Sequence, residues 1–167
     1  MRGLHMTTKT DFTNEEWTHL LQAPTAAGMY IMMADPNFVV GSMKEAFAVS
    51  SGIISKEKES NTELLTSLLS DFKEMKMVKQ ARLKFEEKNV EGMQQTARNV
   101  LKAVVQLLAE KATPEESLEM RNWLYDLGVR TAEAAKEGGF LGFGGTRVSE
   151  KEKAALQELS ALLQISP

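Results

Sequence analysis

The stretch Ala23-Pro-Thr-Ala-Ala-Gly-Met-Tyr-Ile-Met-Met-Ala34 decides the fold of this chain. Pro24 predicts a helix start, because a proline in the first turn lacks an amide hydrogen that would be unpaired there anyway. The residues after it leave no polar face, and a helix that is hydrophobic on all sides belongs at the centre of a protein. Gly28 costs about 1 kcal/mol of helix propensity relative to alanine, which indicates a close helix crossing. The stretch is uncharged over about 12 residues, whereas a membrane span needs roughly 20. It therefore predicts a buried helix in a soluble protein.

The composition is that of an ordinary globular protein. The chain has 167 residues, 43% hydrophobic and 26% charged, which fits one domain with a real core. The formal charge of -3 provides no overall basic field for nucleic acid or an anionic membrane. The chain has no cysteine, which excludes disulfides and cysteine nucleophiles and fits a cytoplasmic location. Residues 1–11 lack a secretory apolar run, so we predict a disordered or tag-like tail there and a single helical domain over 12–167.

Capping signals divide the domain into helices. A capping box places a Ser or Thr three residues before a Glu, and four such patterns begin at Thr13, Ser60, Thr113 and Ser149. Asp35-Pro36 predicts a further helix that extends to about Ser50. From Val90 to Leu107, apolar residues step alternately by three and four, the a/d pattern of a bundle helix, which makes this helix a candidate for pairing with a second copy. The sequence therefore predicts an all-α, compact single-domain bundle of seven or eight helices.

The segment 73–88 is rich in lysine and arginine and raises the question of nucleic-acid binding. Steps of three residues rotate by about 300° around a helix, so its cations spread over half a turn and do not form one stripe. Acidic residues dilute the charge, and only Phe72 and Phe85 are available to stack on bases. We interpret the segment as a solvated helix and predict no nucleic-acid partner.

The stretch 136–149, Lys-Glu-Gly-Gly-Phe-Leu-Gly-Phe-Gly-Gly-Thr-Arg-Val-Ser, departs sharply from the helical pattern. Backbone amides before a helix amino terminus can hold an anion, and the candidate ligand-binding residues are Gly142, Gly144, Gly145, Thr146 and Arg147. A P-loop is excluded, because its lysine is absent and a helix precedes the glycines. A second interpretation is a hydrophobic plug, in which glycines let the loop turn around Phe140, Leu141 and Phe143. A third is a loop that docks a partner.

The end of the chain, from Glu137 to Leu163, resembles a group of functionally uncharacterised bacterial all-helical proteins with a KEGGFLGFGG…VS…E ending. The FTNEEW start at Phe12–Trp17 and the turn at Ala34–Pro36 are similar to the same group. The resemblance covers most of the chain and implies an all-helical bacterial protein, but it brings no activity with it.

A more distant resemblance is to TerB-like tellurite-resistance helical domains. Their motif is an acidic turn followed by S-x-x-E and spaced apolar residues, and Ser149, Glu152, Leu156 and Leu159 match its second half. Glycines and phenylalanines replace the acidic turn that suggests metal binding. The resemblance therefore implies a fold and not a metal site.

The residue types that usually carry catalysis are few. The only histidines are His5 and His19, and neither a zinc-protease motif nor a nucleophile elbow is present. The sequence leans away from an enzyme and predicts no catalytic residue, cofactor or metal site. The leading hypothesis is a non-catalytic helical interaction module that binds a protein partner or self-associates as a homodimer or larger homo-oligomer. The alternative is a small-ligand or anion-binding protein that uses the glycine-rich loop and a methionine-rich core at Met29, Met32, Met33 and Met43.

Overall fold

The computed structural model describes residues 5–34, 59–137 and 149–166, together with residues 53 and 56, and for 135–137 it describes the backbone alone. Within these residues the chain forms helices and no strand, and a short 3-10 turn at Lys9–Asp11 precedes the first α-helix. The α-helices are α1 (Asn14–Met32), α2 (Glu63–Asp71), α3 (Met75–Gln80), α4 (Val90–Lys111), α5 (Pro114–Glu137) and α6 (Glu150–Leu162).

The all-α prediction is confirmed, but the described residues form six α-helices where the sequence predicts seven or eight. One reason is that two predicted helices, separated at Pro24, are the single helix α1 with Pro24 in its interior. An interior proline removes a hydrogen bond and costs about 3 kcal/mol. Ala23, Ala26 and Ala27 around it are fully buried, and this packing offsets the cost. The helix predicted from Asp35 to Ser50 lies outside the described residues.

Helix α1 is the central element, as its apolar sequence predicts. It packs against α4, α5 and α6 and buries Trp17, Leu20, Leu21, Ala23, Pro24, Ala26, Ala27, Gly28, Tyr30 and Ile31. Gly128 on α5 marks a close approach of three helices. A Cβ atom at this position would lie 2.4 Å from Cδ2 of Leu159 on α6 and 3.3 Å from Cγ1 of Ile31 on α1. Glycine is therefore what lets α6 pack tightly beside α1 and α5.

Three of the four predicted capping boxes form, those that begin at Thr13, Thr113 and Ser149. The predicted box at Ser60 is wrong. The residue that caps α2 is Thr62, whose hydroxyl accepts a hydrogen bond from the amide of Leu65 at 3.4 Å. Thr62 also donates to the carboxylate of Glu119 on α5, 57 positions away. This contact with a residue distant in the sequence favours Thr62 as the cap, which the local sequence pattern does not predict.

The segment 73–88 is not the continuous helix that the sequence predicts. Helix α2 ends at Asp71, α3 covers only Met75–Gln80, and residues 82–88 are irregular. The chain after α3 is held against α1, because Ala81 is buried and the side chain of Gln22 donates to the carbonyl of Arg82 at 3.3 Å. These contacts favour a change of chain direction toward α1 over continuation of the helix.

Glu116 on the first turn of α5 binds the amino-terminal segment. Thr7, which lies where the sequence predicts a tail, is 3% exposed. Its amide donates to Oε1 of Glu116 at 2.9 Å, its hydroxyl donates to Oε2 at 2.6 Å, and the amide of Thr113 donates to Oε2 at 2.9 Å. Burial alone would raise the pKa of Glu116, but the hydrogen bonds from Thr7 and Thr113 outweigh it and lower the pKa below the ordinary value of 4.5.

We predict that Glu116→Gln destabilises the protein by about 1–3 kcal/mol at pH 7, because its hydrogen bonds to a charged acceptor are lost. The folded-state pKa is lowered, so this stabilisation is present above the unfolded-state pKa and is lost as the pH falls through the folded-state pKa. Urea unfolding of both proteins at pH 7 and in acid should show the difference shrinking in acid. Glu115→Gln, an exposed glutamate of the same helix turn, is the control, and an equal loss in both variants would contradict this role.

Candidate functional site

The residues that the sequence proposes for ligand binding lie outside the described part of the chain. They are Gly142, Gly144, Gly145, Thr146 and Arg147, with the apolar Phe140, Leu141 and Phe143 of the same stretch. The anion-binding, plug and partner-docking interpretations of the glycine-rich loop stay predictions. Of the proposed methionine-rich core, Met29 packs partly buried against the core, Met32 and Met33 are half-buried, and Met43 also lies outside the described residues.

A polar cluster joins three helices near the end of α1. The hydroxyl of Tyr30 on α1 donates to Oε2 of Glu158 on α6 at 2.5 Å and accepts from Nη2 of Arg98 on α4 at 3.0 Å. The same Arg98 nitrogen lies 3.7 Å from Oε2 of Glu158. The guanidinium also stands over the ring of Tyr30, 5.5 Å from its centroid, at cation–π distance. Tyr30 therefore links α4 to α6 through one buried hydroxyl.

The environment of Tyr30 keeps its phenol neutral. Burial, reinforced by the hydrogen bond to Glu158, raises the pKa of Tyr30 to about 12. A phenol with this pKa is protonated near neutral pH, so it serves as a hydrogen-bond donor and is a poor general base or nucleophile there. The cluster provides hydrogen-bond partners for the buried hydroxyl of Tyr30, as buried polar groups in a packed interior require. We interpret it as a structural link.

A surface with a different character lies on α3. Met75 is 70% exposed and Val78 is 39% exposed, and both lie on one face because their spacing is three residues. The exposed Lys76 and Lys79 flank them. The opposite face is anchored, since Met77 packs against the core and Ala81 is buried. We call the outward residues Met75, Lys76, Val78 and Lys79 the α3 surface.

A groove lies next in the chain, where the irregular segment after α3 meets the start of α4. Its volume is about 420 Å³, and we call it the α4 groove; its lining is Lys84, Glu86, Glu87, Glu91, Gly92, Gln95, Thr96, Asn99 and Val100. Gly92 permits the close approach that forms it, since a Cβ atom there would lie 2.5 Å from Cβ of Glu87. Asn89 caps α4 and accepts from the amide of Gly92 at 2.7 Å.

Sequence reasoning missed both the Tyr30 cluster and the α3 surface. The cluster joins residues 68 and 128 positions apart, which no local pattern relates. The α3 surface has a local signal: in a helix Met75 and Val78 share one face, and Met77 lies about 100° or more away from both. A short helix whose apolar residues are spread around it cannot bury all of them against one core, so some of them face outward.

Within residues 5–34, 59–137 and 149–166, no group of three or more His, Cys, Asp or Glu side chains is arranged to hold a metal ion. No described helix combines the length and apolar character that crossing a membrane requires. Comparisons with family models, curated proteins and solved structures find no match for the chain.

We predict that Tyr30→Phe costs about 1–2 kcal/mol of unfolding free energy at pH 7, because Arg98 and Glu158 each lose a hydrogen-bond partner. The raised folded-state pKa means that the hydroxyl stabilises the fold below its unfolded-state pKa of about 10 and ceases to do so as the pH rises through about 12. Urea unfolding at pH 7 and at rising alkaline pH measures the effect. Tyr125→Phe, at a half-buried tyrosine on α5, is the control; a larger loss in this control would contradict the link.

Proposed function

We propose that this protein is a non-catalytic helical module that binds another protein, either a different partner or a second copy of itself. The observation that carries the proposal is the α3 surface, where Met75 and Val78 face solvent. Burying apolar side chains in an interface stabilises a complex. Methionine is enriched in protein interfaces, whose centres are apolar and whose rims are polar. The flanking lysines supply such a rim.

The composition of the α4 groove favours a protein partner over a small molecule. Its volume falls in the range of ligand pockets, but such pockets are mostly apolar with a few placed polar groups. Here Val100 is the one large apolar side chain among four charged and three amide or hydroxyl side chains. Charged side chains of a protein partner match this polar lining.

The proposed setting is the cytoplasm of a bacterium. The absence of cysteine supports a reducing compartment. The resemblance of the chain's end to bacterial all-helical proteins supports a bacterial source. Membership in a TerB-like group is part of the same proposal and rests on Ser149, Glu152, Leu156 and Leu159.

The proposal is tested by sedimentation velocity over a concentration series, together with affinity capture from a bacterial extract by the tagged full chain. We predict that the wild-type protein self-associates or retains a specific protein. The double variant Met75→Ser/Val78→Ser should lose that association by about tenfold or more, because the apolar centre of the surface is gone. Leu118→Ser removes a side chain that is 48% exposed on α5, outside the α3 surface, and should bind like wild type.

Two outcomes would contradict the proposal. The first is a protein that is monomeric at every concentration and captures nothing beyond what the tag alone captures. Association that responds equally to the α3 and Leu118 variants would place the docking surface elsewhere on the molecule. Circular dichroism of each variant shows whether the helical fold is retained.

A further inference from the structure

We propose that the α3 surface of one copy docks in the α4 groove of a second copy, so that two chains form a dimer with two-fold symmetry. This inference rests on the proposed function and names the partner of the same surface. In an isologous dimer one patch meets its own symmetry mate. The patch must therefore contain both halves of each contact.

The two halves carry opposite charge. The α3 surface presents Lys76 and Lys79, and the α4 groove, whose one basic residue is Lys84, presents Glu86, Glu87 and Glu91. Within the described part of the chain, these five side chains form no ion pair. Opposite charges without an ion pair among the described residues are available to a partner of complementary charge.

The two halves are also neighbours. Four residue steps separate Gln80, the last residue of α3, from Lys84, the first residue of the groove lining. A chain spans at most about 3.3–3.6 Å per residue, so these two points lie within roughly 14 Å. A two-fold axis through such a patch places the basic half of each copy opposite the acidic half of the other. Every favourable contact is then made twice.

Apolar side chains on both halves add to the charge match. Met75 and Val78 are exposed on α3, while Val90, 50% exposed, begins α4 beside the groove, and Val100 contributes to its lining. A lysine that enters the groove can lay its methylene stem along an apolar side chain while its ammonium group meets a carboxylate. The contact therefore combines an apolar centre with charged edges, as interfaces between proteins do.

A charge exchange tests this arrangement. The basic-half variant is Lys76→Glu/Lys79→Glu, and the acidic-half variant is Glu86→Lys/Glu91→Lys. Each variant alone places like charges opposite each other in the dimer, whereas a mixture of the two restores opposite charges in both contacts. Sedimentation velocity and native mass spectrometry follow the wild type, each variant and their equimolar mixture. Lys102→Glu/Arg130→Glu is the matched control, because it reverses two exposed basic residues outside the patch.

We expect a wild-type dimer whose dissociation constant rises with salt, since exposed charge pairs are screened. Each variant alone should dimerise at least about tenfold more weakly, the mixture should yield the heterodimer, and the control should dimerise like wild type. Variants that dimerise like wild type, or a mixture that forms no heterodimer, would overturn the inference.

The outcomes separate this inference from the proposed function. A wild-type monomer that captures another protein through Met75 and Val78 overturns the dimer and leaves the interaction module standing. A wild-type monomer that captures nothing overturns both. A dimer that survives both charge variants but is lost in Met75→Ser/Val78→Ser overturns the docking of α3 in the groove, while α3 remains the interaction surface.

Discussion

Burial of α1 is the constraint on which the rest of the structure depends. Because its second half, residues 23–32, is uncharged and almost wholly apolar, this helix is stable only when other helices cover that half on several sides, and α4, α5 and α6 pack against it. Its enclosure has a chemical consequence at Tyr30, whose ring is fully buried. A buried hydroxyl must be hydrogen-bonded, and Arg98 and Glu158 meet that requirement from two of the covering helices. One element thus determines both the hydrophobic arrangement of the bundle and the polar contacts at Tyr30.

The first turns of α5 hold the outer segments to this centre. Glu116 binds Thr7, and Glu119 accepts hydrogen bonds from the amide of Asn61 and the hydroxyl of Thr62. Burial would raise the pKa of Glu119, but the bonds from Thr62 and Asn61 together with Lys56 lower it. Negative charge near a helix amino terminus is also favoured by the helix dipole. Glu116 and Glu119 therefore connect segments that are distant in the sequence to the start of α5. As a result, the amino-terminal segment and α2 lie at the same end of α5.

The sequence predicts those features whose causes lie within a few residues. The capping boxes at Thr13, Thr113 and Ser149 and the apolar seam of α4 are local patterns, and each appears in the structure. The failures have causes far away in the chain. Pro24 does not break α1 because α1 is packed on several sides, and Ser60 does not cap α2 because Glu119 holds Thr62. The candidate loop residues from Gly142 to Arg147 lie outside the described residues, and the α3 surface follows from which side of a short helix the core could bury.

The exposed charges on and beside α3 contribute little to the stability of the monomer. The segment 73–88 carries six basic and three acidic residues in a chain of net charge -3, with Lys76 and Lys79 on one side of the patch and Glu86, Glu87 and Glu91 on the other. Exposed charges contribute about 0–1 kcal/mol even when paired, and like charges grouped together repel. The basic side chains on α3 and the net negative charge of the groove lining, which also includes Lys84, favour association with a surface of complementary pattern. The apolar pair Met75 and Val78 lies within that patch, so the same few residues carry both an apolar contact and the charge pattern that would orient it.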